Sequence, residues 1–192
     1  MKKRIVVASG NKGKLREIKD MLSDYEVISS AEAGFVGDIE ENGNTFYENA
    51  LIKAKTVAEF LNVPALADDS GICVDALNGE PGIYSARYAG DGIDEHNNEL
   101  LLNNLKDKDN RNAKFVCCMV YYDPKTKEIL TASGETLGYI LDKPYGENGF
   151  GYDPIFHSYD LDTCLGIASE EQKNTISHRY RALKKIKELL EK

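Results

Sequence analysis

The chain has 192 residues, 42% of them apolar and 29% charged, which suffices for one globular domain with a substantial core. Its net charge of −8 argues against a nucleic-acid backbone as the main partner, since that needs a basic surface; a small anionic ligand needs only local positive charge or a metal ion. No apolar run approaches the ~20 residues of a membrane-spanning helix, and the N-terminal run Ile5–Ala8 is too short for the core of a signal peptide.

In chain order, Arg4 to Ala8 reads as a strand. Lys14 to Leu22 reads as a helix, with Leu15, Ile18, Met21 and Leu22 at helical spacing. Tyr25 to Ile28 is a second short strand. Thr45 to Leu61 carries the clearest helical pattern: Thr45 caps it, Glu48 stands three residues on as in a capping box, and Ala50, Leu51, Ala54, Val57, Ala58 and Leu61 follow. Pro64 closes that helix, and Ala65 to Ala67 forms a short strand that ends at two adjacent carboxylates. Ile72 to Val74 leads into a turn at Asn78-Gly79, and Asp94 to Leu105 reads as a helix. Lys114 to Tyr122 and Ile129 to Glu135 form an antiparallel hairpin around DPKTKE, and Leu137 to Leu141 is a further strand. An amphipathic helix from His178 to Leu190 closes the chain. Strands that alternate with helices early and form hairpins late predict an α/β fold, with an elongated mixed β-sheet flanked by helices. Residues 1–192 read as a single domain. The four cysteines, Cys73, Cys117, Cys118 and Cys164, lack C-x-x-C spacing and read as reduced thiols of a cytoplasmic protein.

Four stretches could carry chemistry. In ASGNKGKLREI, a strand ends at Ala8, a loop of Ser9, Gly10, Asn11, Lys12, Gly13 and Lys14 follows, and a helix begins. Backbone N–H groups, two glycines and two lysines there suit a phosphate, although the spacing is not that of a P-loop, and a plain turn with solvated lysines reads equally well. An acidic set comprises Glu40 and Glu41 before the long helix, then Asp68 and Asp69. Hard cations such as Mg²⁺ take such oxygens and share the rest of their shell with water and phosphate; the alternative is a solvated charged loop. Lys53 interrupts the apolar run Ile52–Ala54 of the same helix. In GENGFGYDPIFH, glycines around Phe150 let a ring stand beside exposed backbone, which suits stacking on a heterocycle or a hairpin packed by its aromatics. In SEEQKNTISHRYRAL, His178 and Arg179 stand in a first helical turn, where a cation opposes the helix dipole.

The order of these stretches is more specific than any one of them. SGNKGKLREI, EENGNTFYENALIKA, ADDSGICVDALNGEPGIYSARYAG, FGYDPIF and SHRYRAL together resemble the inosine triphosphate pyrophosphatase family, the dITP/XTP pyrophosphatases that remove non-standard purine nucleotides, over about residues 4 to 190. The resemblance implies a two-lobed structure with the site in a central cleft, usually a homodimer. It also implies Mg²⁺-dependent hydrolysis of a purine nucleoside triphosphate to monophosphate and pyrophosphate. Carried over by motif, Ser9 to Lys14 would hold triphosphate and sugar. Asp69 and one of the adjacent Glu40 and Glu41 would ligate Mg²⁺, with Glu41, two residues before Gly43, favoured, and Asp69 would accept the proton of the attacking water. Ser70 would contact substrate and Lys53 would face the phosphates. Phe150, Gly151, Tyr152, Asp153, Lys173, His178 and Arg179 would form the base pocket, with Arg179 and Lys173 as donors to a 6-oxo group, and Asp68 would orient the loop or a lysine. The alternatives are a non-catalytic nucleotide-binding module and a triphosphatase of other base specificity. A redox site at Cys117-Cys118 is disfavoured because adjacent cysteines make a strained bridge.

Overall fold

The computed structural model describes all 192 residues. Its elements are β1 (Arg4–Val7), α1 (Lys12–Met21), β2 (Glu26–Ser29), α2 (Phe46–Leu61), β3 (Ala65–Val74), α3 (Asp94–Asn104), β4 (Asn112–Tyr122), β5 (Ile129–Ile140), β6 (Phe156–Ser158), β7 (Thr163–Cys164), α4 (Glu170–Ile176) and α5 (His178–Leu190). The seven strands are ordered β2-β1-β3-β4-β5-β6-β7 in one mixed sheet. β1 runs parallel to β2 and to β3, whereas β5, β6 and β7 are antiparallel. The expected α/β class is therefore observed. The chain divides into two compact units: residues 1–69, 117–134 and 179–192 form the first, and residues 70–116 and 135–178 the second.

Side chains alternate across a strand, and the first unit shows what that alternation sorts. Ile5, Val7, Leu66, Cys117, Met119 and Tyr121 face one way and pack with Ile18 and Leu22 of α1 and with Ala182, Leu183 and Ile186 of α5. Val6, Ala8, Ala65, Ala67, Val120 and Tyr122 face the other way and pack on Ala50, Ala54, Val57 and Ala58 of α2. The alanines of α2 let that helix lie close to the sheet. In the second unit Ile72, Val74, Leu101, Leu105, Phe115, Ile140 and Phe156 share a separate core.

Several boundaries differ from the sequence expectation. α1 begins at Lys12, not Lys14, because the Asn11 side chain caps it by accepting from Lys14 N at 3.1 Å. β3 is one ten-residue strand, so Asp68 and Asp69 lie inside it and not at its end. Aspartate disfavours a strand only where nothing offsets its charge, since β preference is mostly a matter of neighbours, and both carboxylates meet cations here. β5 continues through Thr136, whose hydroxyl donates to the Ile176 carbonyl at 2.8 Å, so the two strands expected at 129–135 and 137–141 are one. α4 was not expected; Ser169 and Gln172 form a reciprocal capping box at its start. In α2, Thr45 accepts from Glu48 N at 3.1 Å as expected, but the Glu48 carboxylate reaches one residue further back, to Asn44 N at 2.6 Å.

Candidate active site

The alternation of β3 decides where its two carboxylates go. Leu66 faces α1 and α5, so Asp68 does too; Ala67 faces α2, so Asp69 does too. Asp68 is 1% exposed. Its Oδ2 lies 3.1 Å from Lys14 Nζ and 3.5 Å from both Nε and Nη2 of Arg179. Arg179 donates in turn to Glu17 at 2.5 Å. Lys14 and Glu17 are three apart on α1 and so share a face. Burial alone would raise the Asp68 pKa, but Lys14, Arg179 and Lys53 outweigh it and hold the carboxyl well below the usual carboxylate range. The same network raises Arg179 above its ordinary value against the effect of burial, chiefly through Asp68. Lys14, Glu17, Asp68 and Arg179 thus form one buried ionic cluster.

Asp69 is different. Burial pushes its pKa up to about 6; Lys53 opposes that, while Glu41 adds to it. Lys53 Nζ, on α2, lies 2.8 Å from Glu41 Oε1 and 3.6 Å from Asp69 Oδ1, and donates to the Asp68 carbonyl at 2.7 Å. One ammonium is thus shared by two carboxylates, and Asp69 Oδ2 is buried with no hydrogen-bond partner. Glu41, not the exposed Glu40, is the residue brought to Lys53. The loop that carries Glu41 is fixed by buried Asn49, whose Oδ1 accepts from Gly43 N at 2.8 Å. A Cβ on Gly43 would stand 2.7 Å from Glu48 Cβ, so only glycine allows this approach.

No group of three or more His, Cys, Asp or Glu side chains gathers anywhere as a metal cage. Two carboxylates around a shared cation, one with an unmet buried oxygen, nevertheless fit Mg²⁺, which is commonly held by one or two carboxylates with water and phosphate completing its shell. Of the first loop, Ser9 Oγ accepts from Asn11 N at 3.1 Å. Gly10, Asn11 and Lys12 are exposed and Gly13 is half-buried inside α1.

The second unit gathers a different set. The segment 146–153 is held by polar contacts: Phe150 N donates to Asp153 Oδ2 at 3.0 Å, and Lys173 Nζ donates to the same oxygen at 2.7 Å. Lys173 Nζ also stands 4.3 Å from the centroid of the Phe150 ring, within cation–π range. Gly149 has φ +74°, and a Cβ there would come within 2.2 Å of Asp153 Oδ2, so the turn that presents Phe150 requires glycine. Gly151 N donates to Asp94 Oδ2 at 2.9 Å, and Asn98 Nδ2 donates to the Gly151 carbonyl at 3.1 Å. Tyr152 is in the core of the unit, its hydroxyl donating to the Ser85 carbonyl at 2.6 Å. His178 stacks on Phe115 with ring centroids 5.0 Å apart. Ser70 follows Asp69 in β3 and is half-buried.

The residues expected in a base pocket therefore separate. Phe150, Gly151, Tyr152, Asp153 and Lys173 are brought together. Arg179, in the first unit, is 1% exposed and its guanidinium reaches the Asp68 and Glu17 carboxylates. Glu17, Asn49, Asp94 and Asn98 were not among the expected residues. Nothing near Glu17 in sequence signals a partner 162 positions away, but consecutive asparagines inside a helix, as at Asn97-Asn98, are a detectable signal because asparagine competes poorly for helix interiors.

The Ham1 family matches the chain over residues 5–189. A dITP/XTP pyrophosphatase of Bacillus subtilis is 46% identical over 194 residues, covering 98% of each chain. Among solved structures, the Ham1 protein of Staphylococcus aureus superposes with a TM-score of 0.90 at 48% identity, and a HAM1 protein of Coxiella burnetii with 0.90 at 40%, each pairing covering 98% of both chains.

Proposed function

The chain belongs to the Ham1 family, and from that premise we propose that it is a nucleoside-triphosphate pyrophosphatase acting on non-canonical purine nucleotides: ITP, dITP and XTP are hydrolysed to the monophosphate and pyrophosphate. The observation that carries the reading is Asp69, a buried carboxylate with an unmet oxygen beside Glu41 and Lys53.

In this reading the whole chain, residues 1–192, acts as one catalytic domain. Glu41 and Asp69 would hold Mg²⁺, which would supply neutralisation of phosphate charge. Hydrolysis joins the oxygen of water to phosphorus and breaks the anhydride bond between the α- and β-phosphates. Asp69, beside Lys53 and Glu41, takes the proton that the water loses. Lys14 and Lys53, with the backbone of Ser9 to Gly13, attract the phosphates, and Ser70 contacts substrate. Phosphoryl transfer relies mostly on positioning and charge neutralisation, so a rigid, charged support is useful. Asp68, Arg179 and Glu17 provide it by fixing Lys14.

Phe150 stacks on the base, and Lys173 donates to the 6-oxo group that hypoxanthine and xanthine carry and adenine lacks. A donor facing the 6-amino group of adenine is left unmet, and a mismatch of that kind discriminates by ~10⁴ or more. Asp153 and Tyr152 support the loop, and His178, packed on Phe115, anchors the start of α5. We also propose a homodimer working in the cytoplasm. Four free cysteines suit a reducing compartment, and exposed Tyr84 and Ile93 offer apolar surface for a second copy.

The test is to incubate the protein with ITP, XTP, GTP and ATP, with Mg²⁺ or chelator, and to assay pyrophosphate against orthophosphate. The reading predicts pyrophosphate from ITP and XTP and loss of turnover on chelation. Orthophosphate from every nucleotide, or binding without turnover, contradicts it. Sedimentation at several concentrations tests the dimer.

A further inference from the structure

We propose that Asp94 and Asn98 of α3 are positioning residues for base selectivity: together they clamp Gly151 and so fix the ring of Phe150. The proposal rests on the reading that Phe150 stacks on the base. Asp94 and Asn98 stand four apart on α3 and therefore on one face. They take both backbone groups of Gly151, Asp94 accepting from its N–H at 2.9 Å and Asn98 donating to its carbonyl at 3.1 Å. Gly151 has φ +60°, a conformation that holds the adjacent residue at one angle only while both bonds are made.

At Gly151 packing does not do this work, since nothing stands within 4 Å of where a Cβ would be. The residues from 142 to 149 are exposed, and a cavity of about 510 Å³ is lined by Asn98 and Leu102 of α3 and by Pro144, Gly146, Asn148 and Phe150 of the loop. With open space behind it, the loop depends on hydrogen bonds for its position. Asn98 is only 6% exposed, and its Oδ1 is buried without a partner. A buried amide retained with one half unmet is retained for what its other half does.

Steady-state kinetics with ITP and ATP on wild type, Asp94→Ala, Asp94→Asn and Asn98→Ala test the clamp. Losing a hydrogen bond to a charged acceptor corresponds to about tenfold in affinity or more. Both alanine variants should raise KM for ITP about tenfold, leave kcat within about twofold, and narrow the ITP-to-ATP ratio of kcat/KM. Asp94→Asn, which still offers an oxygen to Gly151 N, should match wild type. Wild-type KM and ratio in both alanine variants overturn the proposal, as does an Asp94→Asn variant as impaired as Asp94→Ala. The chain contains no tryptophan, so Phe150→Trp places a single reporter in the loop. Asp94→Ala in that background should lower its fluorescence anisotropy, and unchanged anisotropy again overturns the clamp. A wild type that fails to distinguish ITP from ATP would defeat the functional reading alone, since the anisotropy measurement needs no turnover.

Discussion

On one face of β3, Asp68 meets Lys14 and Arg179 and is held ionised far below its ordinary range. On the other, its neighbour Asp69 shares a single lysine with Glu41, keeps one oxygen unmet, and has its pKa pushed up to about 6 by burial. The residue type and strand are the same, and the partners differ because successive side chains of a strand point to opposite faces. Each carboxylate keeps one buried oxygen unmet, so the difference lies in the cations: Asp68, against Lys14 and Arg179, serves as a support. The carboxylate with raised proton affinity serves as a reagent, and sites of chemistry are where such perturbation concentrates.

Substitutions can break this contrast. The largest effect is expected from Asp69→Asn, which removes the proposed proton acceptor and a metal ligand together; pyrophosphate release should fall about 10³-fold or more, measured by initial rates at saturating Mg²⁺. Arg179→Met should strand Asp68 and Glu17 as buried charges and destabilise the fold by about 3–5 kcal/mol, read from urea unfolding. If Arg179 instead served the base, that variant would unfold normally and lose only selectivity.

The two carboxylates also predict opposite pH dependences in metal-free protein. The folded value of Asp69, near 6, exceeds its ordinary 3.8, so the folded state binds this proton more tightly than the unfolded state. Its contribution is therefore most favourable below about 4 and declines as pH rises through 6, by about 3 kcal/mol for a shift of roughly two units. Asp68 is depressed, so its contribution is full above about 4 and is lost as pH falls toward its folded value. Stability in chelator should rise between pH 7 and 5 in wild type, and that limb should vanish in Asp69→Asn. The smallest effect is expected from Phe150→Ala, which should weaken ITP binding by about 1–3 kcal/mol, the usual value of base stacking on an aromatic ring, with kcat little changed.

Much of this arrangement was legible in the sequence. The short apolar run Ile5–Ala8 gave β1, and the capping signals with alanine spacing gave α2, because both depend on residues near in sequence. The acidic pairs Glu40-Glu41 and Asp68-Asp69 could be singled out, though the residues alone did not decide between Glu40 and Glu41, and Gly149–Phe150–Gly151 could be read as a ring set among glycines. The division of labour at residue 179 was not legible. Arg179 at a helix start looks like a donor awaiting a ligand, and only the fold brings Glu17 and Asp68 to it. The strand through Asp68-Asp69 was missed for the same reason: the cations that make it tolerable come from α1, α2 and α5. Asp94 and Asn98 act on a glycine more than 50 positions away, a relation that no local pattern encodes.

The most direct test of the contrast is urea unfolding of wild type, Asp68→Asn and Asp69→Asn in chelator at pH 7.5. Asp68→Asn removes the negative charge that Lys14 and Arg179 share and should lower the midpoint. Asp69→Asn removes a buried charge that the fold holds at a cost and should raise it by the equivalent of about 2–3 kcal/mol. Midpoints that move in opposite directions are the predicted result. Midpoints that both fall would show that Asp69 is a structural ion like its neighbour, and would contradict the account of it as the reactive carboxylate.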